Sequence, residues 1–300
     1  MKKLSFIIAM VLVSGFAMAQ NTASITSIGD YQDATVKQGI PKNTGIIYQT
    51  ASGVSAAIND RTSASIEQIS GDYATINQDG KRQVAWIYQN TNSVGTIVQT
   101  GSWNSSGDYI AGDHNYIQVV QNGFLNNGNI ETLSNENGTS TNPLNIYQNG
   151  DQNWAQIHSG VLTSSNFDLA SISQLGNLNI SNVNQEGGDW NSATVLQYTN
   201  KNVANLNQSG SNLTSTITQT GGDANIVNLN QTSGVASIYQ NGTGNLVEGL
   251  NPDVWASFAG STLNVTQLGQ SNTLDLKSTT SGAKVDVYQN GMLNMSTVNN

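Results

Sequence analysis

The chain has 300 residues, a formal net charge of −9, and only 10% charged residues. It has no cysteine, which excludes a disulfide framework and any Cys-based zinc or iron–sulfur site, and two histidines cannot build a His-rich metal centre. The acidic balance, with Arg61 and Arg82 as the only arginines, argues against nucleic-acid binding. What remains is a polar, uncharged, Asn/Gln/Ser/Thr/Gly-rich composition, typical of β-solenoids, amyloid-forming chains and prion-like disorder.

The first element in chain order is a leader over residues 1–19. Lys2 and Lys3 form a basic start, and Leu4 to Phe16 is an apolar run too short for a comfortable membrane span. Ala17-Met18-Ala19 is a small-x-small cleavage site before Gln20. The segment reads as a Sec signal peptide, so residues 20–300 are expected outside the cell. No later segment reaches 18 consecutive apolar residues.

From there the chain repeats. Gln recurs at 38, 49, 68, 78, 89, 99, 121, 148, 174, 185, 197, 208, 219, 231, 240, 267 and 289, with many gaps of 10 to 12 residues. Asn often follows five residues later, as in Gln38/Asn43, Gln121/Asn126, Gln148/Asn153, Gln174/Asn179, Gln197/Asn202, Gln240/Asn245, Gln267/Asn272 and Gln289/Asn294. The full unit Gln-x4-Asn-x5-Gln occurs at 38-43-49, 174-179-185 and 197-202-208. Each half-unit reads as a short strand, because side chains alternate across a strand. Leu144, Ile146 and Gln148 share one face; Asn145 and Tyr147 share the other. Links such as Asn149-Gly150-Asp151-Gln152 supply residues that tolerate tight corners.

Strand, corner, strand and corner give about 22 residues per coil, and residues 20–300 would form about a dozen coils at ~4.8 Å spacing. The predicted fold is therefore all-β: a β-solenoid of stacked strand-turn-strand coils with amyloid-type cross-β pairing. Gln38, Gln49, Gln185 and Gln208, with the paired Gln and Asn positions above, are the candidate structural ladder. A buried amide without partners costs about 1–3 kcal/mol, and stacking like on like removes that cost. The regular spacing weakens near 100–145, 159–170 and 246–262, where Pro143 and Pro252 fall. Asp60, Ser159, Asn251, Ser278 and Asn300 stand where Gln is expected.

The combined pattern, [apolar]-x-[apolar]-x-Gln-x-Gly-x2-Asn-x-[small]-x-[apolar]-x-Gln, resembles the curlin repeat of bacterial curli subunits. Residues 144–157 and 287–294 carry the resemblance most closely. It implies a secreted subunit that self-associates into functional amyloid fibres of a biofilm matrix, contributing to aggregation and to adhesion on host or abiotic surfaces. It also implies a nucleating partner subunit and a dedicated outer-membrane secretion channel. The chain is much longer than the usual five-repeat subunit.

Signals for chemistry are thin. His114 and His158 read as surface residues, and Gly187-Gly188-Asp189 and Gly221-Gly222-Asp223 as corners rather than completed calcium turns. Asp79-Gly80-Lys81-Arg82 also reads as a solvated corner. Tyr48, Tyr88, Tyr147, Tyr239 and Tyr288 precede Gln and are expected to point outward. No nucleophile–base arrangement is identifiable, so neither an enzyme nor a cofactor is expected. The alternative to a fibre subunit is a monomeric secreted solenoid acting as an adhesin. Repeat parity running through Asn294, Ser296, Val298 and Asn300, and starting at Ala23, Ile25 and Ser27, favours assembly, since a monomeric solenoid needs capped ends.

Overall fold

A computed structural model describes residues 11–12, 21–29, 32–39, 42–50, 62–132, 144–160, 167–249, 256–278 and 280–299. All of its regular structure is strand, and every pairing is parallel. Successive strands alternate between two sheets, which we call front, with 12 strands, and back, with 14. The chain thus winds as a β-solenoid, each coil placing one strand in each sheet.

The alternation follows from two-residue periodicity with apolar residues on one side only. Ser192–Gln197 in the front sheet buries Ala193, Val195 and Gln197; Val203–Ser209 in the back sheet buries Ala204, Leu206 and Gln208. These two strands each offer three inward slots, in the order small, branched aliphatic, and amide. The core is a thin seam of Ile, Val, Leu and Ala running the length of the stack. Deep burial concentrates β-branched residues, which suits a strand interior.

Coils differ in length, yet the rungs hold register. Between Gln49 and Gln78 the chain spends 29 residues, and between Gln78 and Gln99 only 21, but each pair lies directly across adjacent strands. Of the segment near 100–145, strands Tyr116–Phe124 and Asn127–Thr132 pair residue for residue with their neighbours, and 133–143 lie outside the described residues. The segment does carry one irregularity: Ser105–Asp113 slips by one residue against Val84–Thr91, since Gln89 pairs with Ile110 but Thr91 with Asp113. Near 159–170, residues 161–166 are outside the described set. Near 246–262 the back strand is interrupted: Leu246–Glu248 and Ala256–Phe258 are separate pieces, and both pair with Ile226–Gln231 on one side and Thr273–Ser278 on the other. The leader expectation falls outside the described residues except at Val11–Leu12, which pair with Val36–Lys37.

Candidate functional site

The front sheet carries an unbroken glutamine ladder. Gln49, Gln78, Gln99, Gln121, Gln148, Gln174, Gln197, Gln219, Gln240, Gln267 and Gln289 occupy the third inward slot of consecutive strands. Each Nε2 donates to the next Oε1 at 2.8–3.0 Å. The second N–H of each amide reaches the back sheet. Gln121 donates to the Ser105 carbonyl at 2.9 Å, and Gln148 to that of Asn127 at 2.9 Å. The ladder thus joins coils along the axis and ties the sheets across it.

The long amide explains the small first slot. Gly45, Gly95 and Gly128 hold that slot in their strands, and a Cβ there would lie 3.1–3.2 Å from a Gln side-chain atom. Glutamines and small residues interdigitate here, and on the front sheet the slot is Gly, Ala or Ser wherever the back sheet supplies an amide; on the back sheet Val227, Val247 and Leu274 hold it beside Gln240, Gln267 and Gln289.

The back ladder is broken. Gln38, Gln68 and Gln89 bond in series, as do Gln185, Gln208 and Gln231. Ile110, Thr132 and Ser159 fill the same slot between the two runs. Phe258 and Ser278 fill it beyond Gln231. Ser159 and Ser278 are the substitutions the sequence indicated; Ile110, Thr132 and Phe258 were not recognised, because nothing in them resembles an amide. Asp60, Asn251 and Asn300 lie outside the described residues.

Asparagines form a second kind of ladder at the start of the back strands, beginning with the one at Ser105–Asp113. Asn104, Asn126, Asn153, Asn179, Asn202, Asn225, Asn245, Asn272 and Asn294 stack, and each Oδ1 accepts the backbone N–H of the next at 3.0–3.2 Å. The sequence reading had amide bonding to amide throughout; here the side-chain oxygen mainly serves backbone. The Nδ2 groups close the corners, as where Asn126 donates to the Asn122 and Gly150 carbonyls. Asn43 belongs to a shorter column opening the front strands: its Oδ1 accepts from the Asp72 N–H, and Asp72 in turn accepts from Ser93.

Two corner features support these columns. The residue just before each Asn takes a left-handed conformation even when bulky, as at Trp103, Leu125, Leu178 and Leu293. That costs about 1–2 kcal/mol per non-Gly residue. A bond back to the preceding corner offsets it, such as Leu125 N–H to the Ser102 carbonyl at 3.1 Å. Gly80, Gly101, Gly123, Gly150, Gly242, Gly269 and Gly291 form columns in these corners with φ between +101° and +140°. Arg82 lies 4.0 Å over the Trp103 ring, so the Asp79–Arg82 corner holds a cation–π contact.

One inward group breaks the rule. Asp108 stands in the aliphatic slot between Ile87 and Ile130 on adjacent strands, fully buried, with neither carboxylate oxygen hydrogen-bonded. Burial holds its carboxyl well above the usual carboxylate range. Among the outward residues, Tyr48 and Tyr288 are exposed, and Tyr88 stacks on Tyr109 at 5.0 Å. His158 is half-buried on the outer face, 3.6 Å from Glu131; His114 sits in a corner at φ +56°. Gly187 and Gly221 are corner glycines with positive φ, and Asp223 accepts from the Asn200 N–H.

Among the described residues, the inward rows at both ends of the stack are only partly buried. Ala23 and Ile25 at one end, and Val287 and Val298 at the other, are partly buried members of the core. Gln289, the last rung among the described residues, turns its amide back to the Asn294 carbonyl and Ser296 Oγ. Neither a scan of family models nor a search of curated proteins gave a match to this chain.

Proposed function

We propose that this protein is a secreted structural subunit that stacks end to end into curli-like amyloid fibres. The observation that carries the reading is the pair of partly buried end rows, among the described residues, on one continuous ladder. A second copy placing Ala23 over Val285 and Ile25 over Val287 would continue the front sheet in its own register. Its Ser27 would then meet Gln289, as Ser27 already meets Gln49 at 3.2 Å. Backbone groups are available for this. Outward residues donate toward the next coil, as Thr273 does to the Asn294 carbonyl at 2.8 Å, so Met295 and Thr297 aim their N–H groups beyond the stack. Fibre growth would then reuse intramolecular geometry, and the resemblance to curlin repeats adds secretion, a nucleating partner and a matrix role to the proposal.

The test is electron microscopy and amyloid-dye growth of residues 20–300, with Thr297→Pro as the probe. Proline there removes a donor that only a following copy would use. Wild-type fibres, with seeded elongation at least tenfold slower for Thr297→Pro, support the reading. A β-rich wild-type chain that stays monomeric at high concentration overturns it in favour of the monomeric adhesin.

A further inference from the structure

The end-to-end contact has a definite back-sheet half. With Ser27 of one copy over Gln289 of the copy before it, the two chains reach Gln32 and Asn294 after the same five residues. Both corners turn at a glycine with φ +120°, Gly29 and Gly291. Equal corners carry the register from the front sheet to the back. Strand Gln32–Gln38 then lies over Met295–Asn299, with Ala34 over Ser296, Val36 over Val298 and Lys37 over Asn299. Small meets small, and valine meets valine.

That edge is already occupied within the chain. Val11 pairs with Val36 and Leu12 with Lys37, both parallel, and Val11–Leu12 is the outermost strand of the back sheet. Residues 11 and 12 thus sit where residues 298 and 299 of the preceding copy would sit. The front sheet has no such cover at this end among the described residues, since its outermost strand is Thr22–Ile28. The covering pair falls within the apolar run Leu4 to Phe16 of the leader. A strand edge takes one partner strand at a time.

From this we infer that the leader is an internal stop on stacking, holding the docking edge of Gln32–Gln38 until residues 1–19 are lost. The inference rests on the end-to-end reading and adds its regulation. As part of the same chain, the leader competes at an effective concentration that an incoming copy does not match. Two paired residues are a short cover, so stacking is slowed rather than abolished. The opposite end differs: among the described residues, Met295–Asn299 pairs on one side only, with Thr273–Ser278. A chain that keeps its leader can therefore add through Met295–Asn299 to a growing stack, and then closes that end of it.

The test compares residues 1–300, residues 20–300, and the full chain carrying both Val11→Pro and Leu12→Pro. Adjacent residues of a strand turn their N–H groups to opposite sides, so the double replacement removes whichever donor faces Gln32–Gln38 and keeps the leader's length and charge. Outward residues donate toward the next coil, as Gly39 does to the Gln68 carbonyl, so inward Val36 and Gln38 turn their N–H groups to the covered edge. In freshly diluted monomer these two amides should exchange hydrogen at least tenfold more slowly in the full chain than in residues 20–300. On seeds of residues 20–300, the full chain should elongate at least tenfold more slowly. The double variant should match residues 20–300 in both measurements. Equal exchange in the first two proteins would overturn the inference, as would a double variant that grows as slowly as the unaltered full chain. If residues 20–300 form fibres and the full chain keeps pace, the stop falls and the stacking proposal stands. If residues 20–300 form no fibres, the stacking proposal falls and the stop with it.

Discussion

Ser159 lies directly across from Gln185 on adjacent back strands, and the Gln185 Oε1 is buried with no donor. The missing donor is the amide that a glutamine at 159 would supply. Ser159 is also where the front sheet departs from its small first slot, holding Ile117 and Leu144 in consecutive strands rather than Ala or Gly. The two departures balance in volume: a shorter residue in the amide slot, a larger one in the slot that an amide would overlap.

That balance predicts coupling. Ser159→Gln alone should destabilise, by crowding Leu144, and Leu144→Ala alone should cost about 2–5 kcal/mol as a cavity. Together they should recover a favourable interaction of about 0.5–3 kcal/mol in a double-mutant cycle by urea unfolding. Strict additivity would show that the ladder gap and the large front residues are unrelated.

Within the unbroken ladder, Gln148→Ala removes two donated bonds, leaves one of the two Gln121 Nε2 N–H groups without its acceptor and takes the donor from the Gln174 Oε1. The expected cost is about 1–3 kcal/mol per orphaned group. Gln152→Ala should be near neutral to mildly destabilising, because that side chain is exposed in a corner. Equal losses of stability at the two sites would remove the ladder as a source of stability.

Asp108 makes the stack pH-sensitive. Its folded-state pKa is raised by burial above the unfolded value, so the folded form holds its proton more tightly. The associated stability is complete below the unfolded carboxyl pKa, about 3.9, and is lost as pH rises from there through the folded pKa. Asp108→Val should therefore stabilise the protein at neutral pH, by about 1–3 kcal/mol, and flatten this part of the pH profile. Thermal melts of both proteins from pH 4 to 8 would show it; parallel profiles would mean that Asp108 does not titrate across this range.

The corner glycines give a paired prediction. A Cβ on Gly123 would sit 2.1 Å from the Gly150 carbonyl oxygen, with φ at +116°. On Gly282 a Cβ would meet nothing within 4 Å, with φ at +79°. Gly282→Ala should cost only the conformational penalty, about 1–2 kcal/mol. Gly123→Ala adds a backbone clash that the next coil cannot relieve without shifting, so its denaturation midpoint should fall clearly further. Equal midpoints would refute the close approach of the corners.

Much of this architecture is already written in the sequence. Two-residue alternation fixes strands, because only that period sends Leu144, Ile146 and Gln148 to one side. The return of Gln and Asn at the same phase requires stacking, because isolated buried amides are costly. What the sequence could not assign was membership. Gln38, Gln49, Gln68 and Gln78 look like one series, yet 38 and 68 belong to the broken back ladder, and 49 and 78 to the continuous front one. Coil length varies, so only backbone pairing decides which residue meets which rung. The same pairing carries Ile110, Thr132 and Asp108 into inward slots that their side chains do not announce, and gathers three Asn-x-Asn strands onto one outer face. Local pattern sets the direction in which a side chain points; the neighbouring coil sets what it meets there, and that depends on residues more than twenty positions away.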